Sequence, residues 1–280
     1  MMTAIETIGL SYVYPDTTPA FKEVNLQIKA GAKTAILGIN GSGKTTLIYH
    51  LNGIIPAQQG EVKIQGLTVD KKHMQEVRKK VGLLFDNPDD QLFSTTIFND
   101  IAFGPRNLKL DPATVNQRVK EALDRVDMAE LAQRPPYCLS LGQKKRAAIA
   151  GLLAMKPQVL AFDEPFSGLD PEAAVHFRNI LDQLVDEGAT LVYSTHDVDM
   201  AYGWADEVIM MKSGKVLACG EYDLLRDEAL LREASLPMPA LAKLFKNHEE
   251  KPRTVEEAQA IIEGTKLLSQ HQIIRLDIEK

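Results

Sequence analysis

Eight consecutive residues, Gly38-Ile39-Asn40-Gly41-Ser42-Gly43-Lys44-Thr45, satisfy the spacing G-x-x-x-x-G-K-[ST]. Glycines in that pattern let the backbone curl until its N–H groups face phosphate oxygens. Lys44 is then placed to neutralise β- and γ-phosphates, and the Thr45 hydroxyl to ligate Mg2+. Thr46, next in the chain, joins the set expected to hold the nucleotide. The apolar run Ala35-Ile36-Leu37 precedes the loop, and a helical stretch from Thr45 to Asn52 follows it, capped at Gly53. That helix start adds a partial positive charge facing the phosphates.

A second signal is Val159-Leu160-Ala161-Phe162-Asp163-Glu164-Pro165. An apolar strand delivers two carboxylates at its C-terminal end, where α/β sheets bind ligands. Asp163 is expected to hold Mg2+ through water, and Glu164 to polarise or deprotonate an attacking water. Alone, such a pair is often only a helix cap; the phosphate loop upstream decides for chemistry.

The elements that must position these residues read as an α/β chain. Val24, Leu26 and Ile28 alternate with polar residues, as do Val62 and Ile64 around Lys63, which predicts half-buried strands. The stretch from about Asn87 to Met155 reads as helical. Within it Asp111-Pro112 opens a helix carrying Val115, Val119, Leu123 and Val126. Another helix starts at Asp170-Pro171 and bears Phe177, Ile180, Leu181 and Leu184. Thr190–Ser194 and Val208–Met211 read as strands, with a Ser213-Gly214 hairpin turn before Lys215–Cys219. Alternating strands and helices predict a parallel sheet, and the β-rich start predicts an antiparallel layer beside it. Residues 1–221 form one expected domain, with a helical subdomain over about 87–155. Residues 222–280 form a helical appendage with a capping box at Thr254 and Glu257. Its last residues, about Leu267 to Lys280, are expected to be poorly ordered.

Composition narrows the partners. A net charge of -6 argues against wholesale nucleic-acid binding. Two distant cysteines, Cys138 and Cys219, indicate no disulfide framework and suit a reducing cytoplasm. The six histidines are scattered, without metal-ligand spacing. The first ten residues do not read as a signal peptide, and no run is long and apolar enough to span a bilayer.

Further motifs resemble one family. Leu139-Ser140-Leu141-Gly142-Gln143 is similar to the signature motif of ABC ATPases, usually LSGGQ, departing at Leu141. Phe166-Ser167-Gly168-Leu169-Asp170 is similar to the D-loop, His196 to the switch histidine, and Tyr14 to the aromatic that stacks on adenine, with Tyr12 its rival. The resemblance spans roughly residues 2–230. It implies a P-loop NTPase with a RecA-like core sheet, an antiparallel β subdomain, an inserted α-helical subdomain and a C-terminal helical appendage. It implies ATP and Mg2+ as cofactors. Ser140, Gly142 and Gln143 would cap the γ-phosphate bound by an opposite subunit, so the chain works as a dimer. His196 would bridge the γ-phosphate and Glu164. Asp86 stands where the family's Q-loop usually places glutamine, and is expected to reach Mg2+ through water.

Asn87-Pro88-Asp89-Asp90-Gln91-Leu92-Phe93, Ile101 to Pro105, and the run from Gly142 through Arg146 into Ala150–Met155 resemble the energy-coupling-factor group. These are ATPases of vitamin and transition-metal importers. The resemblance implies a homodimer, or a heterodimer with a related ATPase, docked on the cytoplasmic face of the cell membrane. The partners would be an integral membrane coupling subunit and a substrate-binding membrane subunit. Asp86, Asp89 and Asp90 are expected to form an acidic cluster that meets arginines of the coupling subunit. Asp86 and the LSLGQ variant are similar to cobalt importers; nickel and vitamin importers of the group are the alternatives. Other ABC transporters, soluble ABC ATPases and small-molecule P-loop kinases are the rival classes.

Overall fold

The computed structural model describes residues 2–264. Its strands are β1 Thr3–Val13, β2 Pro19–Lys29, β3 Lys33–Leu37, β4 Gln59–Ile64, β5 Leu67–Thr68, β6 Val81–Leu84, β7 Val159–Phe162, β8 Thr190–Thr195, β9 Glu207–Lys212 and β10 Lys215–Glu221. The helices are α1 Lys44–Leu51, α2 Met74–Lys80, α3 Ile97–Asn107, α4 Pro112–Arg125, α5 Leu141–Leu153, α6 Pro171–Asp186, α7 Val198–Trp204, α8 Glu228–Ala234 and α9 Ala240–Leu244. Residues 255–264 are helical as well. The tail from Leu267 lies outside the described residues.

The main sheet has the order β10-β9-β3-β8-β7-β6, parallel except for β10 at its edge. A second, antiparallel sheet has the order β2-β1-β4-β5. The central strands are buried along almost their whole length because both their faces are covered. Leu37, Phe162 and Tyr193 face one core, shared with α5, α6 and α7. Ile36, Ala161 and Val192 face the other, shared with α1 and the antiparallel sheet. In β2 the expected alternation holds: Val24, Leu26 and Ile28 are buried, and Asn25, Gln27 and Lys29 are exposed.

The turns and caps follow their sequence chemistry. Asp111 accepts the Thr114 N–H at the start of α4, and Asp170 accepts the Ala173 N–H at the start of α6. Ser213 and Gly214 both have positive φ, 48° and 74°, as a tight hairpin between β9 and β10 requires. Helices α3 to α5 lie within the stretch expected to be helical, and their apolar faces join the core beneath the main sheet. The C-terminal capping box differs in one bond. Thr254 accepts the Glu257 N–H, but the Glu257 carboxylate takes the N–H of Arg253, at 2.7 Å. Arg253 is itself anchored, donating to the Tyr202 and Ala205 carbonyls with its guanidinium over the Tyr222 ring. That anchor fastens the appendage to α7.

Candidate active site

The loop between β3 and α1 demands its glycines. Gly43 has φ 101°, and a Cβ there would stand 2.8 Å from the Ala20 carbonyl oxygen. Its turn delivers Lys44 and Thr45 to the mouth of α1. Lys44 is 6% exposed, and its ammonium donates to the Gly38 carbonyl at 2.8 Å and the Ile39 carbonyl at 3.4 Å. Burial pulls its pKa down, partly offset by the carboxylates of Glu164 and Asp163. A lysine so desolvated gains most from a phosphate arriving beside it.

Asp163 is the first residue after β7. The Thr45 hydroxyl donates to Asp163 Oδ1 at 3.0 Å, and the Ser194 hydroxyl donates to the same oxygen at 2.6 Å. Ser194 also accepts the Glu164 N–H at 2.9 Å, so this one hydroxyl sets both acidic residues. Ser194 is a site residue the sequence reading left out, although it stands two positions before His196 at the end of β8. The Thr45 hydroxyl and the carboxylates of Asp163 and Asp86 are hard oxygen donors, which fit Mg2+. Among the described residues no cluster of three His, Cys, Asp or Glu groups forms a metal cage. A site of few protein oxygens suits an ion that keeps waters and shares substrate phosphates.

Glu164 has φ 43°, a left-handed backbone that costs a non-glycine residue of order 1–3 kcal/mol. The strained turn aims its side chain back across the loop. Oε1 lies 3.2 Å from His196 Nδ1 and 3.9 Å from Lys44 Nζ. The Glu164 side chain is mostly buried while His196 is 65% exposed, so the imidazole closes the site from the solvent side.

A cavity of about 460 Å³ opens over these groups, lined by Tyr14, the loop from Asn40 to Thr46, Asp86, Asp163 and Glu164. Of the two rival tyrosines, Tyr14 lines it and shares a hydrogen bond with the Thr46 hydroxyl; Tyr12 packs on His50. Burial raises the Asp86 pKa, opposed by Lys145 and reinforced by Asp163. Of the three aspartates expected to cluster, Asp86 lines the cavity and Asp89 accepts from Lys144 Nζ at 2.6 Å; Asp90, like the other two, is exposed.

Ser140, Gly142 and Gln143 lie elsewhere. They line a separate cleft of about 350 Å³ with Arg146, Asp170 and His176, and it shares no lining residue with the first cavity. Ser140 accepts the Gln143 N–H while Gln143 accepts the Ser140 N–H, a complete capping box at the start of α5. The box occupies the Ser140 and Gln143 N–H groups and fixes the start of α5 at the exposed Ser140.

Residues 21–167 match the family described as ABC transporter. An energy-coupling factor transporter ATP-binding protein of Carboxydothermus hydrogenoformans is 48% identical over 94% of this chain and 98% of its own length. The solved structure of cbiO1 from Clostridium perfringens, part of an ABC transporter complex cbiONQ, superposes with a TM-score of 0.74 at 37% identity, covering 88% of this chain and 100% of that one. A dimeric ATP-binding cassette in a post-hydrolysis state, bound to ADP and Pi, gives a TM-score of 0.71 at 26% identity over 78% of this chain and 98% of its own. The chain belongs to the ABC transporter ATPases, as an ATP-binding subunit of the energy-coupling-factor kind. Its cofactors are ATP and Mg2+, and its reaction is ATP hydrolysis.

Proposed function

We propose that this chain pairs with a second cassette, a like copy or a related ATPase, on the cytoplasmic face of the cell membrane. There it powers uptake of a transition-metal ion, cobalt in preference to nickel or a vitamin. The observation that carries the pairing is the separation of the two half-sites: Lys44 and Ser140 belong to cavities with no common wall. A second chain facing the first would bring its own Ser140 cleft over the phosphates held at Lys44. The dimeric cassette relative supports this arrangement.

In this reading Tyr14 stacks on adenine, the backbone of the loop from Gly38 to Thr46 cradles the phosphates, and Lys44 neutralises them. Thr45, and Asp163 and Asp86 through water, would hold Mg2+, which when bound would supply charge neutralisation on the phosphate oxygens. Glu164 accepts a proton as the oxygen of a water attacks the γ-phosphorus. The bond from that phosphorus to the β-phosphate bridging oxygen breaks, leaving ADP and phosphate. His196 keeps the Glu164 carboxylate turned inward. Release of phosphate reopens the pair, and the α3–α5 region carries that motion to membrane subunits.

Among the described residues no helix is long and apolar enough to cross a membrane. A docking face for membrane subunits lies on the α3–α5 region. Phe93 and Phe103, 67% and 49% exposed, form an edge-to-face pair, and the exposed Asp90 stands three residues before Phe93 in the chain. Exposed aromatics with a carboxylate are suited to an arginine-bearing helix. The cargo reading leans on Asp86 at the Q-loop position and on the cbiO1 likeness. Co-expression with candidate membrane coupling and substrate-binding subunits tests both parts. ATP hydrolysis by the purified assembly that rises with Co2+ supports the cobalt reading. A rise with Ni2+ or a vitamin alone would replace the cargo, and failure of any membrane protein to co-purify would overturn the transport role.

A further inference from the structure

Lys145, on α5, is a basic residue that is only 1% exposed. Its ammonium donates to three carbonyl oxygens: Glu164 at 3.2 Å, Pro165 at 3.0 Å and Ser167 at 2.8 Å. A lysine has three N–H donors, so the group is fully satisfied, and every donor goes to one four-residue stretch. Asp86, Glu164 and Asp163 act on it through space, offsetting a burial that disfavours its charge. An uncharged side chain of similar length would fill this space without the desolvation penalty. What the charge adds is a grip on the backbone that carries Glu164.

That backbone needs a grip. Glu164 sits in the left-handed region, and such a conformation persists only where its surroundings over-determine it. A second contact joins the same two elements. A Cβ on Gly168, φ 71°, would stand 2.7 Å from Leu141 Cδ2, so the first residue of α5 is pressed onto the loop that Lys145 holds. The start of α5 and the segment 164–168 therefore behave as one packed unit.

We infer that Lys145 is a positioning residue: it locks the Glu164 backbone so that the carboxylate stays beside Lys44 and His196, and it fastens that carboxylate to the helix that begins at Ser140. The inference rests on Glu164 being the proton acceptor. Its consequence is a link between the two half-sites of one chain. A phosphate engaging Ser140 at the N-terminus of α5 bears on Glu164 of the same chain, which serves the other nucleotide.

The test is Lys145→Met in the full-length chain assembled with its membrane partners, with Lys145→Gln as a second variant if the first does not fold. Melting temperature establishes folding. Steady-state kinetics are expected to show kcat lower by about 10- to 100-fold with KM for ATP little changed, since misplacement of about 1 Å at a reacting group costs that much. Introduced into Glu164→Gln, the same substitution is expected to change the single-turnover rate by less than about twofold, because residues that act through one another are not additive. Wild-type kcat in a folded Lys145 variant would overturn the inference. So would an equal loss in both backgrounds, which places the effect away from Glu164. If Glu164→Gln alone turns over at the wild-type rate, the reading of Glu164 fails first; if it is slow and the Lys145 variants are not, the inference alone fails.

Discussion

Glu164 Oε1 lies 3.2 Å from His196 Nδ1, at the carboxyl ends of two adjacent parallel strands. The β7–β8 register pairs Phe162 with Tyr193, so the residues that follow these strands emerge side by side. Glutamine at 164 keeps the hydrogen bond to His196 but cannot take a proton. Glu164→Gln is expected to lower kcat by about 10²- to 10⁴-fold, the usual worth of a general base. ATP binding should survive, and size-exclusion chromatography with ATP should show a closed dimer that persists. Fast turnover by this variant would remove Glu164 from the mechanism.

The separation of the Lys44 and Ser140 cavities has a kinetic counterpart. A chain bearing Lys44→Ala and a chain bearing Ser140→Arg should each hydrolyse ATP poorly, because each spoils both composite sites of its own dimer. Mixed, they form dimers in which one site has an intact Lys44 and an intact Ser140. Activity above the sum of the separate preparations is the expected result. A mixture no better than that sum would mean that a single chain completes its own site.

Much of this site was legible because its chemistry is local in sequence. The phosphate loop needs glycines at fixed spacing within eight consecutive residues, and the acidic pair needs only a strand to end. Ser194 and Lys145 were not legible for the opposite reason. A serine on a strand and a lysine on a helix carry no spacing signal; their roles come from the register that sets β8 beside β7 and from the packing of α5 on the segment after Glu164. The pairing of Asp89 with Lys144 was hidden for a related reason, since it needs α5 packed against the short 3₁₀ turn at Pro88–Asp90.

Asp86 offers a prediction in pH. Burial raises its carboxyl pKa above the usual 3.8. The folded state therefore holds this proton to higher pH than the unfolded chain does. Its contribution to stability is full below 3.8 and is lost as pH rises through the folded value, so at neutral pH the charge is a burden. Asp86→Asn should melt higher than wild type at pH 7 in nucleotide-free protein with Mg2+ removed. The gain should shrink as pH falls toward 4, an approach to the unperturbed carboxyl range. A gain that is constant with pH would point to packing in place of charge.

The docking face gives the last prediction. Asp89 is committed to Lys144, an ion pair whose carboxylate is 58% exposed, so Asp89→Asn should cost less than about 1 kcal/mol and leave assembly nearly intact. Asp90 and Phe93 are exposed, and Phe93 stacks edge-on to Phe103 with ring centroids 5.0 Å apart. An aromatic anchor at the centre of an interface carries about 1–4 kcal/mol, and truncating it slows nothing in the isolated subunit. Phe93→Ala with Asp90→Asn should weaken capture by the membrane coupling subunit at least about tenfold, measured by pull-down titration in detergent. Nucleotide affinity of the free chain should not move, since neither residue lines the cavity over Lys44. Undiminished capture would shift the docking face off this pair. Loss of nucleotide binding alongside capture would mean that the substitutions disturb the α3–α5 region itself.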